Sequence, residues 1–194
     1  MNLKSFLDRE FSEHQAVLQA TRDSLAEPFM TLCAVAEKVL NDGKKIMFMG
    51  NGGSAADAQH LAAELVVRYK IDRSPLAALA LTTDSSTLTA GANDLGYDKI
   101  FECQLRALGR KGDLVIGITT SGDSPNVLNA LHVAKELGII PAALAGKGGG
   151  KLVGLANPLL IIPSDSTARI QEMHITLGQM LCGALELELG LVTA

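Results

Sequence analysis

Tryptophan is absent from this chain, and Phe and Tyr bring the aromatic share to only 4%. Proteins that hold single-stranded nucleic acid stack its bases on aromatic rings, so that platform is missing. Positive charge is not in excess either: 17 basic against 21 acidic residues leave a net charge of −4. The basic face that duplex DNA or RNA demands is therefore not expected. Cysteine is scarce. Cys33, Cys103 and Cys182 stand far apart and form no C-x-x-C pair, which reads as free thiols in a reducing compartment. No run of about 18 apolar residues occurs, so no helix is expected to span a membrane. The opening residues, Met1 to Glu10, are charged early and lack the apolar core of a secretory signal. These absences predict a cytoplasmic protein that engages neither nucleic acid nor membrane.

What is present is apolar and periodic. Apolar residues make up 47% of 194 positions, enough for one sizeable core and short for two. The reading is a single domain over 1–194, with a helical arm at 1–42 and an α/β core at 43–194. In the arm, Phe6, Phe11, Val17 and Leu18 recur at near-helical spacing. A second stripe runs from Glu27 to Leu40, closed by Asn41-Asp42-Gly43. Strands are expected at Lys45–Met49, Leu76–Leu81, Leu114–Ile118, Ile139–Leu144 and Leu159–Ile162. Helices are expected at Ser54–Tyr69, over most of Ser86–Leu108 with a break near Gly91 to Gly96, at Ser124–Leu137, near Leu152–Ala156, and at Thr167–Leu189. Five apolar strands alternating with helices define a three-layer sandwich around a five-stranded parallel sheet. Right-handed crossovers then bring every strand-to-helix loop to one edge, where such folds bind ligands.

Two of those loops suit a phosphate. Gly50-Asn51-Gly52-Gly53-Ser54 and Thr119-Thr120-Ser121-Gly122-Asp123-Ser124 each end a strand and open a helix. Glycine allows close backbone approach, helix-start N–H groups lack partners, and hydroxyls add donors. A plain tight turn with Ser54 or Ser124 as helix cap is the competing account of either loop. Two such loops at one edge favour the anion site. Neither is G-x-G-x-x-G, since position 55 is Ala, and no G-x-x-x-x-G-K-[ST] occurs; the spacing of Gly146-Lys147-Gly148-Gly149-Gly150 fits neither.

The helix after the first loop carries Asp57, His60, Glu64 and Arg68 at steps of three, four and four, which share one face. His60 and Glu64 suit a metal ion, and Glu64 suits proton transfer on a sugar. The same spacing also describes a solvated face with ordinary ion pairs. In the last helix Gln171 and Gln179 lie on one side, while a lone His174 reads as a hydrogen-bonded structural residue. His14 and His132 fall on expected exposed faces and carry no signal.

Taken in order, Gly50-Asn-Gly-Gly-Ser-Ala-Ala-Asp-Ala-Gln-His60, Ala-Leu-Thr-Thr-Asp84, Gly91-Ala-Asn-Asp94, Thr120-Ser-Gly-Asp-Ser124 and Ala168-Arg-Ile-Gln-Glu-Met-His174 resemble the phosphoheptose isomerases over nearly the whole chain. The resemblance implies a flavodoxin-like sugar isomerase (SIS) fold. It implies an aldose–ketose isomerase converting sedoheptulose 7-phosphate to glycero-manno-heptose 7-phosphate, first step toward the heptose of lipopolysaccharide or surface polysaccharide. It implies a cytoplasmic homotetramer with active sites at subunit contacts and one zinc per subunit. Carried over by position, Asn51, Gly52, Gly53, Ser54, Asn93 and Asp94 would contact substrate, and Thr119, Thr120, Ser121 and Ser124 would grip its phosphate. His60, Glu64, Gln171 and Gln179 would hold zinc. Gln171 would also touch substrate, and Glu64 would contact it as the base.

Two positions depart from the family pattern. Thr119 replaces the usual Ser and keeps its hydroxyl. Gln179 replaces the usual His, a zinc ligand and second acid/base; an amide can coordinate but cannot exchange protons near neutral pH. A rival expectation is a non-catalytic tetrameric SIS-domain regulator that binds a replication initiator. Glu64 speaks against it and Gln179 for it.

Overall fold

A computed structural model describes residues 2–192. Two helices come first, α1 (Leu3–Ser24) and α2 (Ala26–Asn41). Asn2 starts α1 by accepting from the Ser5 N–H at 2.8 Å, the side-chain cap that frees a helix start from unmet donors. Strands and helices then alternate: β1 (Ile46–Gly50), α3 (Gly53–Val66), β2 (Ala78–Ala80), α4 (Ser85–Asp94), α5 (Ile100–Leu108), β3 (Leu114–Ile118), α6 (Pro125–Leu137), β4 (Ile140–Ala145), β5 (Leu159–Ile161) and α7 (Thr167–Glu188). All five strands pair in parallel in the order β2-β1-β3-β4-β5.

The central strands are apolar at every position because helices cover both faces; β1 and β3 are buried throughout. One face packs Ile46, Phe48, Ile116 and Leu144 against α2, α3 and α7. The other packs Met47, Met49 and Val115 against α5 and α6. Among the described residues no helix is long and apolar enough to cross a membrane.

Three local expectations shift. β2 keeps only three of its six expected residues, as an edge strand with a single sheet neighbour. The short helix expected at Leu152–Ala156 is instead a 3₁₀ segment at Lys147–Leu152, kinked by Gly148, Gly149 and Gly150 at φ of 76°, 86° and 52°. Glycine reads as a breaker in sequence, yet here its left-handed conformations wind the chain tightly. His14 does not lie idle on an exposed face: its Nδ1 sits 2.8 Å from Glu172 Oε2 and helps tie α1 to α7.

His174 is fully buried in α7. Its Nε2–H donates to the Ala145 carbonyl at 3.1 Å, leaving Nδ1 bare. Burial pushes its pKa down to about 4 from 6.5, only partly offset by that hydrogen bond. The folded state thus holds a neutral ring that the unfolded chain protonates below 6.5. This stability is present above the unfolded pKa and is lost as pH falls toward the folded one, roughly 3 kcal/mol in all. Denaturant midpoints measured from pH 7.5 downward should fall through that window. His174→Asn should be less stable at pH 7.5 yet show a flatter slope.

Candidate active site

β1 and β3 are neighbours, with Gly50 paired to Ile118, so their two loops leave the sheet side by side. The chain order reverses here, β2 lying beyond β1 and β4 beyond β3. Such a switch point opens a crevice at the strand ends. A side chain at Gly50 would come within 2.8 Å of Ser54 and 2.9 Å of the Ile118 carbonyl, so only glycine closes this turn.

Neither loop behaves as a plain helix cap. α3 starts from Gly52, with no side-chain cap. Ser54, a cap candidate from sequence, lies inside the first turn and is buried. Ser124 does occupy the cap position of α6, but its hydroxyl lies 2.9 Å from Thr119 Oγ1 instead of capping the helix. Ser121 Oγ accepts the Asp123 N–H at 3.1 Å. The backbone N–H groups of Thr120, Ser121 and Gly122 meet no acceptor among the described residues. Free amides and hydroxyls converging at a helix start form a cradle for an anion. The glycine segment after β4 braces it, since Asp123 Oδ1 accepts the Lys151 N–H at 3.3 Å.

The second half of the site is the seam between α3 and α7. His60 Nε2 donates to Glu64 Oε1 at 3.0 Å, and the Gln179 amide nitrogen lies 3.5 Å from the same His60 nitrogen. Gln171 sits higher on the seam; a methyl on Gly53 would meet its amide nitrogen at 2.9 Å. Gly53 and His60 are about two turns, roughly 10 Å, apart along α3. The cradle and the His60–Glu64 pair are not in contact within one chain, and the His60 side chain is 46% exposed. Arg68 falls beyond the end of α3 and turns outward to Asp72, so it leaves the polar stripe that its spacing predicts.

A buried ion pair fixes this seam. Arg73 Nε lies 2.9 Å from Glu186 Oε1, both side chains 2% exposed. The guanidinium also donates to the carbonyls of Glu64 and Leu65 at 2.7 Å each. It thereby caps the last turn of α3, the turn that carries Glu64, against α7.

Three site members escape simple sequence reading. Asp57 is half-buried beside His60; desolvation raises its pKa while the His60 charge works against that. Its place on the stripe was visible, but not its desolvation. Asn126 and Tyr97 bond the Asn51 side chain, and an isolated Asn or Tyr gives no periodic signal. Asn93 and Asp94 end α4, exposed, with Asn93 Nδ2 donating to Asp94 Oδ1 at 2.7 Å.

The residues fit a zinc ion. Ligand atoms around a tetrahedral zinc stand about 3.3 Å apart, given bond lengths near 2.0–2.1 Å. The 3.0 and 3.5 Å spacings about His60 Nε2 match that. A half-turn of the Gln179 amide presents its oxygen in place of nitrogen. Among the described residues no three His, Cys, Asp or Glu side chains cluster, and the side chain that stands beside the His60–Glu64 pair is the amide of Gln179.

The doubly wound parallel sheet belongs to a SIS domain, since the SIS domain family model matches residues 11–146. The phosphoheptose isomerase of Paramagnetospirillum magneticum is 59% identical over 186 residues, 96% of this chain and 97% of that protein. That of Aquifex aeolicus is 49% identical, over 91% and 92% of the two chains. The solved phosphoheptose isomerase of Neisseria gonorrhoeae superposes with a TM-score of 0.90 at 42% identity, over 95% of this chain and 99% of that one. The Francisella tularensis enzyme superposes with a TM-score of 0.92 at 34% identity, over 95% and 98%. The chain belongs to the phosphoheptose isomerase family.

Proposed function

We propose that this protein interconverts sedoheptulose 7-phosphate and glycero-manno-heptose 7-phosphate. The carrying observation is an uncapped, hydroxyl-lined anion cradle on the same α/β unit as an imidazole–carboxylate–amide cluster. Aldose–ketose isomerisation moves a proton between C1 and C2 through an enediol, which needs a base on carbon and an acid/base for the oxygens. Glu64 suits the first role. Thr119, Thr120, Ser121 and Ser124 hold the phosphate, which supplies binding energy remote from the reacting carbons. Asn51, Gly52, Gly53, Ser54, Asn93, Asp94 and Gln171 orient the sugar. His60, Glu64 and Gln179 would hold one zinc per subunit, and that ion would polarise the carbonyl as a Lewis acid; Gln171, roughly 12 Å from Gln179 along α7, would join them only across a subunit contact. Gln179 leaves the second proton role poorly served.

The product is the precursor of a heptose destined for lipopolysaccharide or another surface polysaccharide, made in the cytoplasm. A homotetramer accounts for what one chain leaves open. The cradle and the His60–Glu64 pair lie apart, and an apolar groove of about 450 Å³ between α1, α2 and α7 exposes Leu18, Met30 and Met180. Subunit contacts would cover this groove and complete the site. The regulator reading draws no support from the named relatives, which are isomerases.

The purified protein, supplied with zinc and sedoheptulose 7-phosphate, should slowly form the aldose phosphate, followed by proton NMR. Absence of product here and also after Gln179→His would overturn the assignment.

A further inference from the structure

Asn51 follows β1 in the first loop, and its carboxamide is held on three sides. Its Oδ1 accepts from Asn126 Nδ2 at 2.7 Å and from the Tyr97 hydroxyl at 3.0 Å. Its Nδ2 donates to Asn126 Oδ1 at 2.9 Å. The two amides therefore form a closed pair of reciprocal bonds. What fixes their direction is the backbone. Val127 N–H, which can only donate, reaches Asn126 Oδ1 at 3.0 Å. That identifies the Asn126 oxygen, which in turn requires nitrogen at the facing position of Asn51. One N–H of Asn51 is left without an acceptor among the described residues. Asn126 is 2% exposed and its carboxamide is turned onto Asn51 and the Val127 N–H, whereas Asn51 is half-buried at the crevice.

We propose that Asn126 and Tyr97 are positioning residues that lock Asn51 with one N–H turned outward, as a fixed donor to an oxygen of the substrate. The proposal rests on the isomerase reading above. The sugar's carbonyl and the oxyanion that develops from it are acceptors, so a preset donor serves them at no cost in reorganisation. An amide free to flip would offer its oxygen half the time. Tyr97 comes from the turn after α4, so the clamp also ties the end that carries Asn93 and Asp94 to the first phosphate loop.

The test is a pair of double-mutant cycles. Tyr97→Phe deletes one surface hydroxyl; it should lower kcat/KM by about 3- to 10-fold, the worth of one oriented hydrogen bond, and leave Tm unmoved. Asn126→Asp still accepts the Val127 N–H but cannot donate to Asn51. It should lower kcat/KM by about 10- to 100-fold. In an Asn51→Ala background each substitution should add less than about 2-fold, because the group they position is gone. A merely structural role would give the same losses in both backgrounds and would overturn the proposal, as would unchanged kcat/KM in the parent background. If the parent binds sedoheptulose 7-phosphate without turnover, the same ratios are read in calorimetric Kd. A parent that neither binds nor converts this sugar overturns the isomerase reading, and the clamp's purpose with it. Full parent activity with insensitive variants overturns the clamp alone.

Discussion

Gln179→His is expected to raise kcat by about 10²- to 10⁴-fold, the usual contribution of a positioned acid/base. The amide of Gln179 stands 3.5 Å from His60 Nε2, within reach of whatever His60 and Glu64 hold. An amide neither gains nor loses a proton near neutral pH, so the substrate oxygens must at present exchange protons with water or with a more distant group. An imidazole there titrates in the working range. Two readouts separate this from better binding. KM should move little, because the phosphate grip is untouched. The variant's rate should gain a limb in its pH profile near the histidine range. An unchanged rate would show that an acid/base at position 179 does not limit turnover and that the substrate oxygens exchange their protons without it.

The sheet could be read from the chain because each of its central strands is an unbroken apolar run ending in a glycine or a hydroxyl. Ile46–Gly50 and Leu114–Ile118 fall within a residue of their expected bounds. β2 could not, since an edge strand is set by its one neighbour and not by its own six-residue pattern. The His60–Glu64 pair was implicit in a four-residue step on a helix, and the structure does bring Gln179 beside it. Contacts between distant segments were not implicit. Asn51 and Asn126 are 75 positions apart, Tyr69 and Glu186 117 apart. No local spacing encodes such meetings; the first follows only once β1 pairs with β3, the second only once α3 lies beside α7. The same limit explains why a cap role for Ser54 and Ser124 competes with the anion-site reading in sequence. Only the geometry shows that neither side chain caps its helix.

Glu64→Gln should reduce turnover by about 10³-fold or more, and should do so without unfolding the protein. The substitution keeps shape and keeps an oxygen to accept from His60 Nε2, now 3.0 Å away. The backbone of Glu64 is held independently, by Arg73 donating to its carbonyl at 2.7 Å. Tm should therefore stay within a few degrees, the range expected of a change that removes no buried partner. The decisive readout is isotopic. In deuterated water the parent should wash solvent deuterium into the carbon-bound position at C1 or C2, because the base that removes the proton exchanges it. Glu64→Gln should lose that exchange along with turnover. Gln179→His serves the oxygens and not the carbon, so adding it to Glu64→Gln should restore neither. Recovery of carbon exchange in the double variant would move the base from α3 to α7 and dismantle the division of labour argued here.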